Sequence, residues 1–395
     1  MKIRDSSERE EINRLARRMS AVARAFRKRY PLEEAPWRAG HYLLPVWSHG
    51  RPAHKALIWY HNQGCAWARK AGCTMCNFGE RDDVPLDETV VADFRRELDK
   101  LDPGTRFIHL GPGGSVLQES EIRTSLRHDL VQSLERLPFL EGVGLETRAE
   151  TIREDRLENL LAVLPPHVTE LALGFGLESA DELILRVAVN KAEAIEDIER
   201  AIERVLKVNA RTPDRHVVVD CYVLLKPPFL TEGEAIEDAI ESITWAYDHG
   251  AETVSLFVNT MKRNTICAWL NARTEDDGPY RYQTPYLYSA FEVLAGLRPE
   301  HRARTGVLGF TSGNPYVGAP RACDLCWHVL HGLLSAHNYT RDTALLSAAR
   351  EVRCECRTNW LKELSQPAPG PLLPRFRSYV SRMECSLGLA PDQVR

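Results

Sequence analysis

The chain has 395 residues, 44% of them hydrophobic and 27% charged, with a formal net charge of −4. This is ordinary soluble globular composition, sized for one large domain and a small one, and it carries no overall electrostatic footprint for nucleic acid. No run approaches ~18 uninterrupted apolar residues, so no transmembrane helix is predicted, and the charged start "MKIRDSSEREEINRLARRMS" lacks the apolar core of a signal peptide.

A cytoplasmic protein without a membrane partner is therefore expected, its ten cysteines reduced or metal-bound rather than paired. The first element lies between Ile12 and Tyr30, where Arg14, Arg17, Arg18, Arg24, Arg27, Lys28 and Arg29 occur without an acidic residue. Ile12, Leu15, Met19, Val22 and Phe26 recur at helical spacing, which predicts an amphipathic helix with a basic face. That face is either solvated surface or a contact for RNA or a phosphate-bearing substrate. Residues 1–50 are read as a basic helical extension.

Residues 51–300 alternate apolar strand-like runs with amphipathic helices. The strands are "KALIWYHN", "RFIHLG", "GVGLET", "ELALGFGLE", "HVVVDCYVLLK" and "TVSLFVNT", nearly continuous in apolar residues as parallel strands buried on both faces require. Helical segments such as "DETVVADFRRELDKL" and "EGEAIEDAIESITWAYDHG" separate them. Six units at roughly 30–50-residue intervals predict an α/β fold with a partial parallel (β/α)6 barrel. A doubly wound sheet is the alternative, but no GxGxxG follows the first strand. In a barrel the site lies at the carboxyl ends of the strands. There the chain places three cysteines, then "GPGGS", "ETR", "GLES" and "KPPFL", one loop after another.

The first loop, "GCAWARKAGCTMCNFGE", carries Cys65, Cys73 and Cys76. A structural zinc site is closed by four ligands, whereas a [4Fe-4S] cluster on three thiolates leaves one iron open. The pattern resembles the cluster loop of radical S-adenosylmethionine (SAM) enzymes, with a longer gap before its CxxC. That resemblance puts Met75 against the adenine of SAM and the turn at Gly113 and Gly114 against its amino group. Alternation sets Glu146 and Arg148 on one face of a strand end, with Glu178 in the next loop. These groups either hold the ribose and carboxylate of SAM or form salt bridges with Arg148.

Residues 301–395 are read as a small cysteine-rich C-terminal metal-binding domain and tail. Cys323, Cys326, Cys354 and Cys356 offer four thiolates from two short turns, fitting zinc or a second iron–sulfur cluster. Cys221 and Cys267 read as buried or free thiols, and Cys385 as a free thiol.

The phrases "GLETRAETI", "GLESADELILRVAVNKA", "YVLLKPPFLTEGEAIEDAIESI" and "CDLC…CECRTNW" together resemble the archaeosine biosynthesis radical SAM family, in the branch of the elongator catalytic subunit. The resemblance covers most of residues 55–360. It implies a tRNA substrate whose deazaguanine base carries a lysine. It also implies radical cleavage of a lysine C–N bond, a lysine-transferring partner enzyme, and an electron donor of flavodoxin or ferredoxin type. Cluster ligation falls on Cys65, Cys73 and Cys76, and SAM contacts on Gly113, Gly114, Glu146, Arg148 and Glu178. Asn190, Lys191, Lys226 and Asn259 are candidates for the substrate side. Arginine dominates the 51 basic residues, pointing to a GC-rich genome and keeping a second reading open: a small nucleoside or nucleotide substrate in natural-product biosynthesis, with C–N cleavage or sulfur insertion. A non-catalytic metal-dependent RNA-binding module is the third.

Overall fold

The computed structural model describes residues 5–31, 39–48, 51–79, 84–111, 113–276, 278–310 and 316–389. All six strands read from the sequence are present, in one eight-stranded sheet whose strands follow chain order. β1 (Gly40–Ser48) pairs antiparallel with β2 (Arg51–Trp59). From β2 the sheet is parallel through β3 (Thr105–Gly111), β4 (Gly142–Thr147), β5 (Glu170–Glu178), β6 (His216–Leu225) and β7 (Thr253–Val258). β8 (Thr305–Leu308) adds one more parallel strand beside β7.

Two boundaries change. β1 falls in the stretch expected to be a helical extension, and β8 in the stretch assigned to the C-terminal domain. The segment "GHYLLPVWS" contains Pro45, which is tolerated because β1 is the edge strand of the sheet. The four residues of β8 are too few to show a period. β2 also starts earlier than "KALIWYHN" and ends at Trp59.

The helix α1 (Ser6–Arg29) comes first in the chain. Outside the barrel strands lie α2 (Asp87–Leu98), α3 (Thr124–Gln132), α4 (Glu154–Val163), α5 (Ile195–Arg211), α6 (Glu232–Asp248) and α7 (Leu287–Gly296). The start of α6 is written locally: Thr231 Oγ1 accepts from Glu234 N at 3.3 Å, and Glu234 Oε2 accepts from Thr231 N at 2.9 Å, a reciprocal cap. Ile58, Ile108, Leu145, Leu173, Val219 and Leu256 are buried between the sheet and these helices.

The sheet does not close on itself. Helix α8 (Asp324–Thr340) packs against β1 and β2 on one side and β8 on the other. Asn338 accepts from Val307 N at 2.8 Å and donates to Val307 O at 2.6 Å, satisfying the open edge of β8, while Tyr339 meets His54 of β2 with ring centroids 6.1 Å apart. The C-terminal region is thus a plug in the seam of the barrel. It continues as α9 (Ala344–Glu351), α10 (Glu355–Leu364) and α11 (Leu372–Leu387).

The predicted basic helix is α1. Ile12, Met19 and Val22 are fully buried with Phe376, Val380 and Met383 of α11 in a second core, each burial worth roughly 1.5–3 kcal/mol. Arg18 grips Glu384 of α11 with two bonds of 2.9 and 2.6 Å.

Asp238 of α6 is buried beneath the β5 loop and accepts from Ser179 Oγ at 2.6 Å. Burial raises its carboxyl to about 8, against about 3.9 in an unfolded chain. The folded state therefore holds a proton that the unfolded state releases, and stability falls as pH rises from about 4 to about 8. An Asp238→Asn variant keeps the Ser179 bond and has no proton to lose. Its melting temperature should exceed that of the wild type by a margin that widens from pH 5 to pH 8. A constant difference across thermal melts at those pH values would contradict this.

Candidate active site

The cysteine loop leaves the carboxyl end of β2, where a barrel keeps its chemistry, and five hydrogen bonds hold it in place. Arg27 of α1 donates to Ala71 O at 3.1 Å and to Cys76 O at 2.9 Å. Gly72 lies at φ +80°, and a Cβ there would collide with the Arg27 guanidinium, so only glycine allows this clamp. On the other side Asn190 Nδ2 donates to Gly72 O at 2.7 Å, and the Asn190 main-chain carbonyl accepts from Trp67 Nε1 at 2.9 Å. Thr74 donates to Ala188 O at 2.7 Å.

Burial pushes the Cys65 and Cys73 thiols up, opposed by Arg148 at Cys65 and by Lys191 at Cys73. Arg148 Nη1 lies 3.6 Å from Cys65 Sγ. Cys65 and Cys76 both act electrostatically on Cys73, so the three thiols share one neighbourhood. Three neighbouring thiols flanked by two cations suit a thiolate-rich anionic cluster.

A chain of charges crosses the strand ends. Arg148 binds Glu121 and Glu150, each at 2.7 Å. Glu121 is fully buried and also accepts from Ala66 N at 2.9 Å and Ser115 N at 2.5 Å. Lys191 binds Glu178 at 3.1 Å and lies 3.9 Å from Glu193, and it is raised by these carboxylates against the cost of its burial. Glu193 is raised to about 8, chiefly by burial and opposed by Lys191. Gly176 makes room for this chain, since a Cβ there would strike both Glu178 and Lys191.

The structure redistributes the residues read from the sequence. Glu146 faces His109 at 3.4 Å rather than Arg148, and Glu178 belongs to Lys191, so neither carboxylate is the partner of Arg148. Gly114 is packed against Glu121 and Gly64 O, with no space for a Cβ, whereas Gly113 faces Asn62 and Phe78 at ordinary contact distance. Met75 packs on the second core. Asn190 is buried and braces the cysteine loop. Lys226 is buried, 2.6 Å from Glu232, which Arg321 also binds at 2.8 Å while holding Glu363 at 2.6 Å. This network ties the β6 loop to α10, and burial lowers the Lys226 amine. Asn259 donates to Tyr282 at 2.7 Å. Glu178, Asn190 and Lys226 share one unusual feature, left-handed backbone at φ 61°, 58° and 65°, a strain that collects at functional sites.

The four C-terminal cysteines form a separate centre. Their sulfurs all lie within 4.8 Å of one another, with Cys323 and Cys326 Sγ 3.5 Å apart. Cys323 and Cys354 precede the first turns of α8 and α10, and the Cys323 thiol is lowered to about 7 by the Cys326 backbone. Tyr288 of α7 approaches Cys354 Sγ at 3.2 Å. This spacing fits a single tetrahedral ion.

Archaeosine synthase subunit beta of Methanosarcina acetivorans is 28% identical over 308 residues, covering 77% of this chain and 83% of that protein. The subunit from Thermococcus kodakarensis is 27% identical over 322 residues, covering 79% and 92%. This chain is a relative of the archaeosine synthase beta subunits. An uncharacterized protein of Methanocaldococcus jannaschii is 27% identical over 311 residues, covering 75% and 78%. No protein-family model matches the chain. Among solved structures, the radical S-adenosylmethionine methyltransferase TsrM of Kitasatospora setae aligns at 14% identity and a TM-score of 0.42 over 75% of this chain. This chain spans 61% of TsrM, less than two thirds of it. No described helix is long and apolar enough to cross a membrane.

Proposed function

We propose that this chain is the radical SAM component of archaeosine-type tRNA modification, cleaving a C–N bond of a lysine joined to a deazaguanine base. The observation that carries the reading is the Cys65–Cys73–Cys76 loop. It lies at the carboxyl end of the first parallel strand, flanked by Arg148 at Cys65 and by Lys191 at Cys73. A bound [4Fe-4S] cluster with SAM would supply one-electron cleavage of the sulfonium and a 5′-deoxyadenosyl radical.

The chain's own residues set the geometry around it. Arg148, fixed by Glu121 and Glu150, holds positive charge at the Cys65 edge. Arg27 and Asn190 keep the loop from collapsing or swinging. Gly113, Glu146 and Glu178 are the groups at the strand ends offered to the amino acid and ribose parts of SAM, and Lys191 ties Glu178 in place. The C-terminal cysteines are assigned to a zinc ion that staples α8 and α10 to the barrel seam. A lysine-transferring enzyme would supply the substrate and a flavodoxin or ferredoxin the electron.

The test is 5′-deoxyadenosine release by anaerobically reconstituted protein with SAM and dithionite. Three conditions are compared: no addition, bulk tRNA, and tRNA bearing the lysine-modified deazaguanine. Release that rises only with the modified tRNA supports the proposal. Slow release indifferent to tRNA directs the search to small nucleosides. No release from protein that holds its cluster leaves the non-catalytic reading.

A further inference from the structure

The basic face of α1 is the sequence feature that the chemistry above leaves unused. Arg14, Arg17, Arg24 and Lys28 are exposed, and none has an ion pair or hydrogen bond among the described residues. At 3.6 residues per turn they fall within about 80° of one another, along about 21 Å of helix. They lie opposite Ile12, Leu15, Met19, Val22 and Phe26, which are buried. The stripe therefore points to solvent.

Elsewhere on this surface exposed arginines find carboxylates: Arg136 on Asp99, Arg211 on Glu154, Arg298 on Asp248 and Arg350 on Glu292. Along α1 the carboxylates Glu8, Glu10 and Glu11 are confined to the first two turns and none follows from Ile12 to Tyr30, so the positive charge from Arg17 to Lys28 has no acidic neighbour further along the helix. The same helix reaches the active site, for Arg27 clamps the cysteine loop at Cys76 O. Past its end the chain meets a loop that carries one more cation toward the cysteine loop. Asn264 donates to Pro31 O at 2.9 Å, and Lys262 of the same loop sits 5.0 Å from the ring centre of Phe78, two residues beyond Cys76.

We propose that the outward stripe of α1 is the docking surface for the sugar–phosphate backbone of a folded RNA, which it delivers to the mouth of the barrel along Lys262 and Phe78. The proposal rests on the tRNA reading and gives it a location. A chain with net charge −4 repels a polyanion overall, so a local cationic stripe supplies both the steering and the phosphate contacts. An acidic protein partner is the competing occupant. Base-specific contacts are not needed there, because phosphate contacts set position and orientation while the base is read in the site.

The experiment compares the full chain with an Arg14→Glu/Arg17→Glu/Arg24→Glu variant and the corresponding Arg→Lys variant. These residues are solvent-facing, and folding is checked by circular dichroism and by RNA-free 5′-deoxyadenosine release, which should not change. Binding of bulk tRNA is measured by fluorescence anisotropy from 50 to 200 mM KCl. The charge-reversed protein should bind at least roughly tenfold more weakly, with a log–log salt slope smaller by about 2–3, close to one per lost phosphate contact. The lysine variant should bind like wild type. Equal affinity and slope for wild type and the charge-reversed variant would overturn the docking surface while leaving the tRNA reading intact. Failure of the wild type to bind tRNA would overturn both. Loss of binding to poly-glutamate but not to tRNA would assign the stripe to a protein partner and overturn the proposal.

Discussion

A Cys76→Ala variant is expected to lose 5′-deoxyadenosine release by at least roughly a hundredfold, since weakening even the outer contacts of a metal site costs about 10–100-fold. Its C-terminal metal should be retained at full occupancy. The argument is geometric. Cys76 belongs to the loop after β2, and its carbonyl is held by Arg27, whereas the four C-terminal sulfurs close on one another from α8 and α10. The two thiol sets share no ligand. The check combines iron and zinc analysis of the reconstituted protein with chromatography of the SAM products. Loss of both metals in one variant would break the two-site assignment. Retained release would remove Cys76 from the cluster.

The barrel was legible because strands β3 to β7 are largely buried on both faces and so read as nearly continuous apolar runs. The edge strands were not, since β1 contains Pro45 and β8 is four residues long. The cysteines were legible for a similar reason, because a cluster of thiols has no common packing role. What orders them was hidden. Arg27 looked like any other member of the basic face, and only the fold shows that it turns inward to the loop 44 and 49 residues away. Glu121 and Glu193 carry no motif, and their importance lies in burial beside Arg148 and Lys191. Asn190 and Lys226 were found by their phrases, but their partners were not legible. Their side chains brace the cysteine loop and the C-terminal network respectively. Sequence spacing fixes which residues can reach a site, while ion-pair partners are chosen by strands far apart in the chain. The identity of the second metal followed the same division. Four cysteines in two turns fitted both zinc and a cluster, and sulfur separation, a purely tertiary quantity, favours the single ion.

Cys354→Ala should release the C-terminal zinc and lower the melting temperature by roughly 10 °C, since structural zinc contributes folding energy directly and about 2–4 °C accompanies each kcal/mol in domains of 150–250 residues. The effect is large because of where the site sits. Cys323 and Cys326 open α8, the helix that caps β8 through Asn338 and meets β2 through Tyr339. Cys354 opens α10, which carries Glu363 to Arg321 and Trp360 to Ser289 at 2.9 Å. Freeing the ion loosens both helices at their first turns and exposes the barrel seam. Thermal melts with zinc analysis decide the matter, run on the variant and on wild type treated with a chelator under reducing conditions. A metal-free variant that melts with the wild type would show that the four thiols do not staple the seam. Iron retained by a Cys65→Ala/Cys73→Ala/Cys76→Ala protein would show instead that this centre is a cluster, and its role would move from holding the barrel closed to carrying electrons or sulfur.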